Sequence, residues 1–302
     1  MLQAVVSDAR APSVSLALPV FNGATFLAEA LESILAQTYS DFELIISDNA
    51  STDATPEIVR DYAARDARIR SFRQTSNIGI GNNWSFVAKR ARGKWLKWVS
   101  ANDQYAPHLV EDCIKPMQRD PNVVLCYGRT QFIDMAGNRL DVYEGDFDVL
   151  SDDALERYRI ARANLHLGTP IQSGVIRLDA LRRCGYMGNY RDSDRVLVFG
   201  LALAGKFVLL PQVLFYRRWD KAVATPLRSR LEVQRLYRPE ATRAPRFINL
   251  PRYVGHLGVA LRTPAGGFAK ARTLVAALRY TDWKSKLHPH ASNLSADRVG
   301  GE

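Results

Sequence analysis

The sequence predicts an α/β fold in which a mostly parallel central sheet is flanked by helices, and two observations lead to this prediction. Within the first hundred residues, four apolar runs of strand length alternate with segments whose apolar residues recur at helical spacing. A polar turn follows each run. Strands and helices that alternate in this way form βαβ units, which place helices on both faces of a parallel sheet.

The first strand is the apolar run VSLALPV at Val14–Val20, which ends at the turn Asn22-Gly23. A later helix is expected to begin near Thr55-Pro56, since proline is tolerated in the first turn of a helix. The predicted strands of this half cover residues 14–20, 42–47, 69–73 and 95–99, and its helices cover residues 24–37, the stretch after 55, and 84–91.

The second half of the sequence is less regular. Gly185 and Gly205 are each expected to end a helix, because glycine readily adopts the backbone conformation that terminates one. The predicted strands here cover residues 123–127, 130–134, 172–177, 207–210 and 213–216, and the predicted helices cover residues 178–184 and 195–204.

Polar residues are concentrated where the first four strands end. In open parallel sheets, ligands bind beyond the carboxyl ends of the strands. We therefore expect a binding site at this edge, formed by Phe21-Asn22, Asp48-Asn49, Asn77 and Asn102-Asp103.

The formal net charge of +10 is distributed unevenly along the chain. Residues 217–302 hold 17 of the 41 basic residues and only 6 of the 31 acidic ones, so the preceding part is almost neutral. A generally basic nucleic-acid coat protein would not confine its charge to the last third, and we expect no nucleic-acid partner. The 47% of hydrophobic residues excludes disorder of the whole chain.

The cysteines and the hydropathy pattern bear on location. Three widely spaced cysteines without a C-x-x-C motif indicate reduced thiols rather than a disulfide framework or a zinc ribbon. We find no apolar run of about 18 residues, the length that a transmembrane helix needs. The expected location is cytoplasmic, with peripheral contact at the inner membrane face as a further hypothesis.

Four motifs follow one another in the first half: Pro19-Val20-Phe21-Asn22-Gly23, Gln37-Thr38-Tyr39, Asp48-Asn49-Ala50-Ser51-Thr52-Asp53 and Asn77-Ile78-Gly79. In this order they resemble the opening of the inverting family 2 glycosyltransferases, which have the GT-A nucleotide-sugar-binding fold. The resemblance covers roughly residues 14–216. It divides the chain into an N-terminal extension at 1–13, a GT-A catalytic domain at 14–220 and a basic, mainly helical C-terminal segment at 221–302.

The resemblance implies a nucleotide pocket at the strand ends. Asp48 would accept hydrogen bonds from the base, a role suited to a side chain that only accepts; the alternative is an aspartate that caps the turn after its strand. The glycine spacing in residues 77–81 does not match G-x-G-x-x-G, so a dinucleotide site is rejected. The other residues implied to line or shape the pocket are Pro19, Phe21, Asn22, Asn77 and Asn83.

The metal motif departs from the family pattern. Family members commonly carry D-x-D or D-x-D-D after the fourth strand, whereas this chain has Ser100-Ala101-Asn102-Asp103. The resemblance assigns Asp103 as the ligand of Mg²⁺ or Mn²⁺, more weakly bound than in family members with the full motif. Asn102 would offer a carbonyl oxygen or a hydrogen bond to the ribose. The alternative is that Asp103 is an ordinary loop residue.

Arg217 and Trp219 occupy a Y-R-x-H pattern in which the family has a histidine near the diphosphate. Trp219 replaces that histidine, which again weakens the metal-ligand set. Arg217 would meet the phosphates, because a guanidinium matches them bidentately. Surface charge is an equal alternative for this arginine.

The catalytic base is expected near the start of a helix in the second half. The family places an aspartate there, with G-[KR] about a dozen residues later, and Gly205-Lys206 puts Asp194 in that frame, with Asp192 just outside it. An inverting transfer needs one carboxylate to take the proton from the acceptor hydroxyl. The alternative is that both aspartates only cap the helix.

The basic C-terminal segment has two explanations. A helix predicted over residues 268–280 has Leu274, Val275 and Leu278 on one face and basic residues elsewhere. Basic amphipathic helices lie on anionic membrane surfaces, so one explanation is peripheral contact with the membrane. The other is a helical subdomain that packs on the catalytic body with its basic face in solvent.

The leading hypothesis is an inverting, metal-assisted glycosyltransferase. It would move a sugar from a nucleotide diphosphate sugar, UDP- or dTDP-linked, to the hydroxyl of a sugar or lipid-linked acceptor, in bacterial polysaccharide or glycoconjugate biosynthesis. The alternative is a catalytically lapsed GT-A homologue that binds nucleotide sugars or serves as a scaffold. The neutral residues Ser100 and Asn102 favour that alternative, and Asp194 in its frame argues against it.

Overall fold

The computed structural model describes residues 11–165, 170–219, 229–243, 250–262, 272 and 275. Most of the predicted N-terminal extension therefore lies outside the described residues. The same holds for the helix predicted over residues 268–280, apart from two single positions.

The first half alternates strands and helices as predicted. The strands β1, β2 and β4 are buried along almost their whole length, which is why they are continuous apolar runs. The elements are β1 (Val14–Val20), α1 (Ala24–Leu35), β2 (Phe42–Asp48), α2 (Thr55–Arg65), β3 (Ile69–Arg73), α3 (Ile80–Lys89) and β4 (Trp95–Trp98).

The second half contains shorter and more varied elements. They are β5 (Gln104–Tyr105), α4 (Leu109–Arg119), β6 (Val123–Ile133), β7 (Arg139–Val142), α5 (Ala154–Asn164), a 3₁₀ turn (Pro170–Ser173), β8 (Val175–Arg177), α6 (Leu178–Cys184), α7 (Ser193–Ala204), β9 (Lys206–Arg218), α8 (Arg230–Tyr237) and α9 (Leu250–Arg262).

All described strands form one sheet in the order β3-β2-β1-β4-β8-β6-β9-β5, with β7 paired to β6. The first four strands are parallel. β8 runs antiparallel to both of its neighbours, β4 and β6, while β6 and β9 are parallel to each other. The α/β prediction is confirmed, but the sheet is mixed, because the second half lacks the βαβ spacing on which the expectation of parallel strands rested.

Two pairs of predicted strands are in fact single long strands. β6 joins the segments predicted at 123–127 and 130–134, and β9 joins those predicted at 207–210 and 213–216. The ladder pairs Gly128 with Leu210 and then Arg129 with Val213, so Pro211 and Gln212 form a bulge in β9. A bulge keeps the pairing continuous around a proline, which in the sequence resembles a strand break.

Hydrophobic clusters pack on both faces of the sheet, and α9 contributes Val259 to one of them. In the same helix, the buried His256 stacks on Phe199 of α7 with ring centroids 5.4 Å apart. Part of the C-terminal segment therefore packs on the body, as one of its two explanations expected. None of the helices in the described ranges combines the length and the apolar character that crossing a membrane demands.

Candidate active site

The turns that follow β1 and β2 interlock at the predicted edge of the sheet. Asn22 and Ala50 have φ angles of 49° and 61°, a left-handed conformation that is uncommon away from glycine. The backbone N–H of Asn22 donates to Ser51 Oγ at 2.8 Å, and Asn22 Oδ1 accepts from Thr52 N at 2.9 Å. These reciprocal bonds hold both turns in place, and such locally strained backbone is typical of functional sites.

Asp48 ends β2 beneath these turns and is 2% exposed. Its Oδ1 accepts the N–H of Ser51 at 2.9 Å, so it does cap the turn after its strand. Its Oδ2 is buried and lacks a hydrogen-bond partner among the described residues, although Arg73 Nε lies 3.4 Å away without hydrogen-bond geometry. A buried acceptor in this condition calls for an explanation, and a ligand donor supplies one.

The loop after β3 is tied to the same edge through asparagine side chains. Asn49 Nδ2 donates to Asn77 Oδ1 at 2.9 Å, and Asn49 Oδ1 accepts from Ile78 N at 2.9 Å. Asn77 therefore joins the site. Asn83 lies deeper: it is 3% exposed and accepts from Ser47 Oγ at 2.7 Å, so it holds α3 against β2 beneath the site.

The remaining residues predicted for the nucleotide pocket lie at the end of β1. Phe21 directly follows that strand, and its side chain is exposed, whereas Pro19 is half-buried within the strand. β1 lies between β2 and β4 in the sheet, so the turn at Asn22 separates Asp48 from the loop after β4. A Cβ on Gly23 would lie 3.1 Å from Ala101 Cβ, which shows that the two turns are in contact.

Asp103 lies in the loop between β4 and β5 and is 7% exposed. Its Oδ1 accepts the backbone N–H of Arg218 at 2.9 Å. Burial raises the pKa of the Asp103 carboxyl, and the Arg218 N–H and the charge of Arg217 act in the opposite direction. The neighbouring Asn102 is hydrogen-bonded through Oδ1 to Ser100 Oγ, so the neutral residues of this motif fasten the loop.

Arg218, rather than Arg217, is the main support of this loop. Its side chain is 2% exposed and pairs with Glu29 Oε2 of α1 at 2.7 Å. Its Nε donates to Asn102 O at 3.0 Å, and its Nη1 donates to the carbonyl oxygens of Asp134 and Met135, both at 2.9 Å. Sequence reasoning missed Arg218, because two adjacent arginines in a strand give no signal as to which one faces the core.

Asp194 lies in the first turn of α7. Burial raises the pKa of its carboxyl, with the charge of Asp192 adding to the effect and the N–H of Arg195 opposing it. Asp192 occupies the N-cap position with a left-handed φ of 63°, but its side chain makes no capping hydrogen bond. The capping explanation therefore fails for Asp192, whose Oδ2 instead accepts from Arg252 Nη1 at 2.9 Å.

The segment before α7 is anchored to the loop that follows β3. Asn82 N donates to Asn189 Oδ1 at 3.3 Å, and Asn189 Nδ2 donates to Tyr237 O at 2.7 Å. The predicted base is thus brought next to the start of α3, one turn beyond Asn77. No sequence motif pointed to Asn189 or Tyr237.

The edge of the sheet therefore carries two buried aspartates, interlocked turns and an anchored helix start. A family model described as "Glycosyl transferase family 2" matches residues 15–181, more than half of the chain. The chain belongs to glycosyltransferase family 2, as the motifs indicated.

Curated relatives match only the N-terminal half. An uncharacterized glycosyltransferase of Rickettsia bellii is 35% identical over 147 residues, which are 48% of this chain and 21% of that protein. The chondroitin synthase of Escherichia coli is 32% identical over 129 residues, 43% of this chain and 19% of that protein. The chain thus spans about a fifth of the length of these relatives.

Solved structures share the fold over most of the chain. The S. aureus TarS 1–349 structure in complex with UDP has a TM-score of 0.62 at 14% identity, covering 91% of this chain and 73% of that one. The mannosyltransferase PcManGT from Pyrobaculum calidifontis, in complex with GDP-Man and Mn²⁺, has a TM-score of 0.51 at 16% identity, covering 92% and 84%. At this level of identity the likeness concerns the fold, which is the predicted GT-A architecture.

Proposed function

We propose that this protein is an inverting glycosyltransferase that moves a sugar from a nucleotide diphosphate sugar to an acceptor hydroxyl. The observation that carries the proposal is the open acceptor oxygen of Asp48, buried among interlocked turns at the strand ends. Membership of the family supports the reaction class. The fold is shared with TarS, which was crystallised with UDP and with UDP-GlcNAc.

The donor nucleotide is proposed to be UDP- or dTDP-linked. Asp48 Oδ2 would accept the ring N–H of a uracil or thymine, a donor that an ionised carboxylate matches. Arg73 beside it keeps the carboxylate charge compensated at 3.4 Å. Phe21 and Asn22 lie at the end of β1, where the nucleoside would rest on the turn.

The fit of a divalent cation depends on Asp103. Its Oδ1 already accepts from Arg218, and the described residues contain no group of three or more His, Cys, Asp or Glu that could hold a metal. One carboxylate, the Asn102 carbonyl oxygen, the diphosphate and water can still complete an oxygen-ligand set for a weakly bound Mg²⁺ or Mn²⁺. When bound, such an ion neutralises charge on the departing diphosphate. Arg217 would share that task, since its charge reaches Asp103.

Asp194 is the proposed base. The bond between the acceptor oxygen and sugar C1 forms as the bond from C1 to the diphosphate oxygen breaks on the opposite face. The acceptor proton passes to Asp194, and the nucleoside diphosphate leaves with the electron pair of the broken bond. Burial, which raises the pKa of this carboxyl, makes it a stronger base for the proton it must accept.

The test separates donor binding from transfer. We expect UDP or dTDP to raise the melting temperature, since a ligand at 100 times its Kd stabilises by about 2.7 kcal/mol. Asp194→Asn should retain this shift but lose about 100-fold or more of the transfer rate. Asp179→Asn is the matched control, because Asp179 pairs with Arg183 on the exposed surface of α6. No stabilisation by any nucleoside diphosphate, with or without Mn²⁺, would overturn the proposed donor site.

A second candidate function is a catalytically lapsed homologue that binds nucleotide sugars or acts as a scaffold. It is favoured by the neutral Ser100 and Asn102, which are bonded to each other, and by Trp219 in place of the family histidine. Donor binding without any transfer or hydrolysis, in both the wild type and Asp194→Asn, would select this candidate.

Contact with the inner face of a bacterial membrane is proposed as the setting in which a lipid-linked acceptor is met. The outer face of α9 exposes Leu250, Val254 and Leu261, each more than half accessible. Apolar residues on a basic segment can enter the headgroup region of anionic lipids. Cosedimentation with vesicles containing anionic lipid tests this: loss of binding in Val254→Asp is expected, and equal binding of both proteins would refute the contact.

A further inference from the structure

The C-terminal helix α9 contacts the segment that carries the proposed base. Arg252 Nη1 lies 2.9 Å from Asp192 Oδ2, and both side chains are largely buried, at 21% and 14% exposure. The same helix is seated on α7 through His256 and Val259. The contact therefore belongs to a packed interface and joins residues 60 positions apart.

Helix α8 encloses the segment from a second side. The Tyr237 carbonyl accepts from Asn189 Nδ2 at 2.7 Å, and a Cβ on Gly79 would lie 2.0 Å from that carbonyl oxygen. The Tyr237 side chain is close enough to the two aspartates to feel their charges: burial raises the pKa of Tyr237 to about 12, and Asp194 and Asp192 add to it. Helices α8 and α9 thus form two walls around the start of α7.

We propose that Arg252 is a positioning residue of the transferase: by pairing with Asp192 it fixes the first turn of α7 and compensates the second carboxylate beside Asp194. This inference rests on the proposed function, in which Asp194 is the base. It makes α9 part of the catalytic apparatus, although this helix lies beyond the residues that the family model matches.

The electrostatic argument considers every group around the two aspartates. An uncompensated charge on Asp192 opposes ionisation of Asp194, since like charges at short range disfavour each other. Arg252 is the cation that is paired directly with Asp192, so its removal leaves that charge exposed to Asp194. The charged and titratable groups of this region are Arg191, Asp192 and Arg195 from the segment itself, Tyr237 from α8, and Arg252 and His256 from α9.

The test measures the titration of Asp194 directly. In protein labelled with ¹³C at the aspartate carboxyls, with Asp194→Asn for assignment, Arg252→Gln should raise the midpoint of the Asp194 titration by about 0.5 to 1 pH unit. Arg252→Lys keeps the charge and should restore the midpoint. The acid limb of the kcat/KM profile should move with it, while the rate at high pH stays within about threefold, because Asp194 is then ionised again.

The matched control is Arg262→Met, which removes another arginine of α9 that bonds to Cys184 O at 3.1 Å and does not pair with Asp192. Thermal melts verify folding, and Arg252→Met serves if Arg252→Gln does not fold. An unchanged Asp194 midpoint in a folded Arg252 variant, or an equal shift in Arg262→Met, overturns the proposal. Because the titration needs no donor, a protein without transferase activity would refute the proposed function separately from this inference.

Discussion

Replacement of Arg218 by methionine isolates what the buried guanidinium does for the loop of Asp103. Methionine has a similar reach and is apolar, so the change removes four side-chain hydrogen-bonding partners without opening a large cavity. Asp103 keeps its own hydrogen bond, because that donor is the backbone N–H of residue 218. The variant therefore tests the support of the loop and leaves the carboxylate contact in place.

The expected cost follows from the burial of each partner. The carbonyl oxygens of Asn102, Asp134 and Met135 lose a charged donor, and each part-buried acceptor left without a partner costs about 1 kcal/mol, at the low end of the usual range. Glu29 is 46% exposed, so water replaces the lost ion pair at a cost of about 0.5 kcal/mol. We expect Arg218→Met to lower the free energy of unfolding by about 3 to 4 kcal/mol.

Urea denaturation of Arg218→Met and of Glu29→Gln gives the comparison. Glu29→Gln removes only the half-exposed partner and should cost about 0.5 kcal/mol. Equal losses in the two variants, or a loss below about 1 kcal/mol in Arg218→Met, would refute the reasoning that the three carbonyl contacts dominate. Arg218→Lys should fall between them, since an ammonium cannot reach all of these acceptors at once.

Three further predictions concern other buried positions. Gly79→Ala should cost about 2 kcal/mol in urea denaturation, because Gly79 has a φ of 85° and a Cβ would lie 2.0 Å from Tyr237 O; a neutral result would mean that α8 is not seated there. Burial lowers the pKa of His256 to about 4, so the unfolded chain binds more protons and the wild type should lose up to about 3 kcal/mol as pH falls from 6.5 towards 4. His256→Phe should show a flatter profile, and an identical slope would contradict its burial against Phe199. Burial lowers the pKa of Lys97 to about 8, so wild-type stability should rise between pH 8 and 10, and Lys97→Met should lack that rise.

The parallel half of the sheet could be predicted because its signals are local. β1 and β3 begin and end at the predicted residues, β2 ends one residue later, and β4 ends one residue earlier. Continuous apolar runs bounded by polar turns carry this information within a few residues. The site residues of the same edge, such as Asp48 and Asn77, were predicted because their motifs lie directly at those strand ends.

Helix α4 was not predicted, and its sequence shows why. It contains Pro116 within the helix and charged residues in its first turn, while its buried residues lie on one narrow face. A proline in the last turn resembles a helix end, so the periodic pattern looks shorter than the helix is. The packing of this helix on the sheet provides the stability that its local sequence does not indicate.

The contacts of Arg218 and Arg252 were beyond sequence reasoning for a different reason. Arg218 reaches Glu29 across 189 residues, and Arg252 reaches Asp192 across 60. No periodicity or motif encodes such pairs, because they depend on how the complete sheet and the C-terminal helices come together. Both arginines lie at or beyond the end of the family resemblance, where no motif assigned them a role.

The uneven charge of the chain has a physical explanation in these contacts. The basic excess begins at Arg217, and Arg217, Arg218 and Arg252 each act on a carboxylate of the nearly neutral body: Asp103, Glu29 and Asp192. A surface for nucleic acid would instead present its cations to solvent as a patch or stripe. At these three positions the basic segment compensates acidic groups around the proposed site. Buried carboxylates that must hold a diphosphate donor and accept a proton need such fixed countercharges, so part of the +11 balance of residues 217–302 belongs to the chemistry of the body.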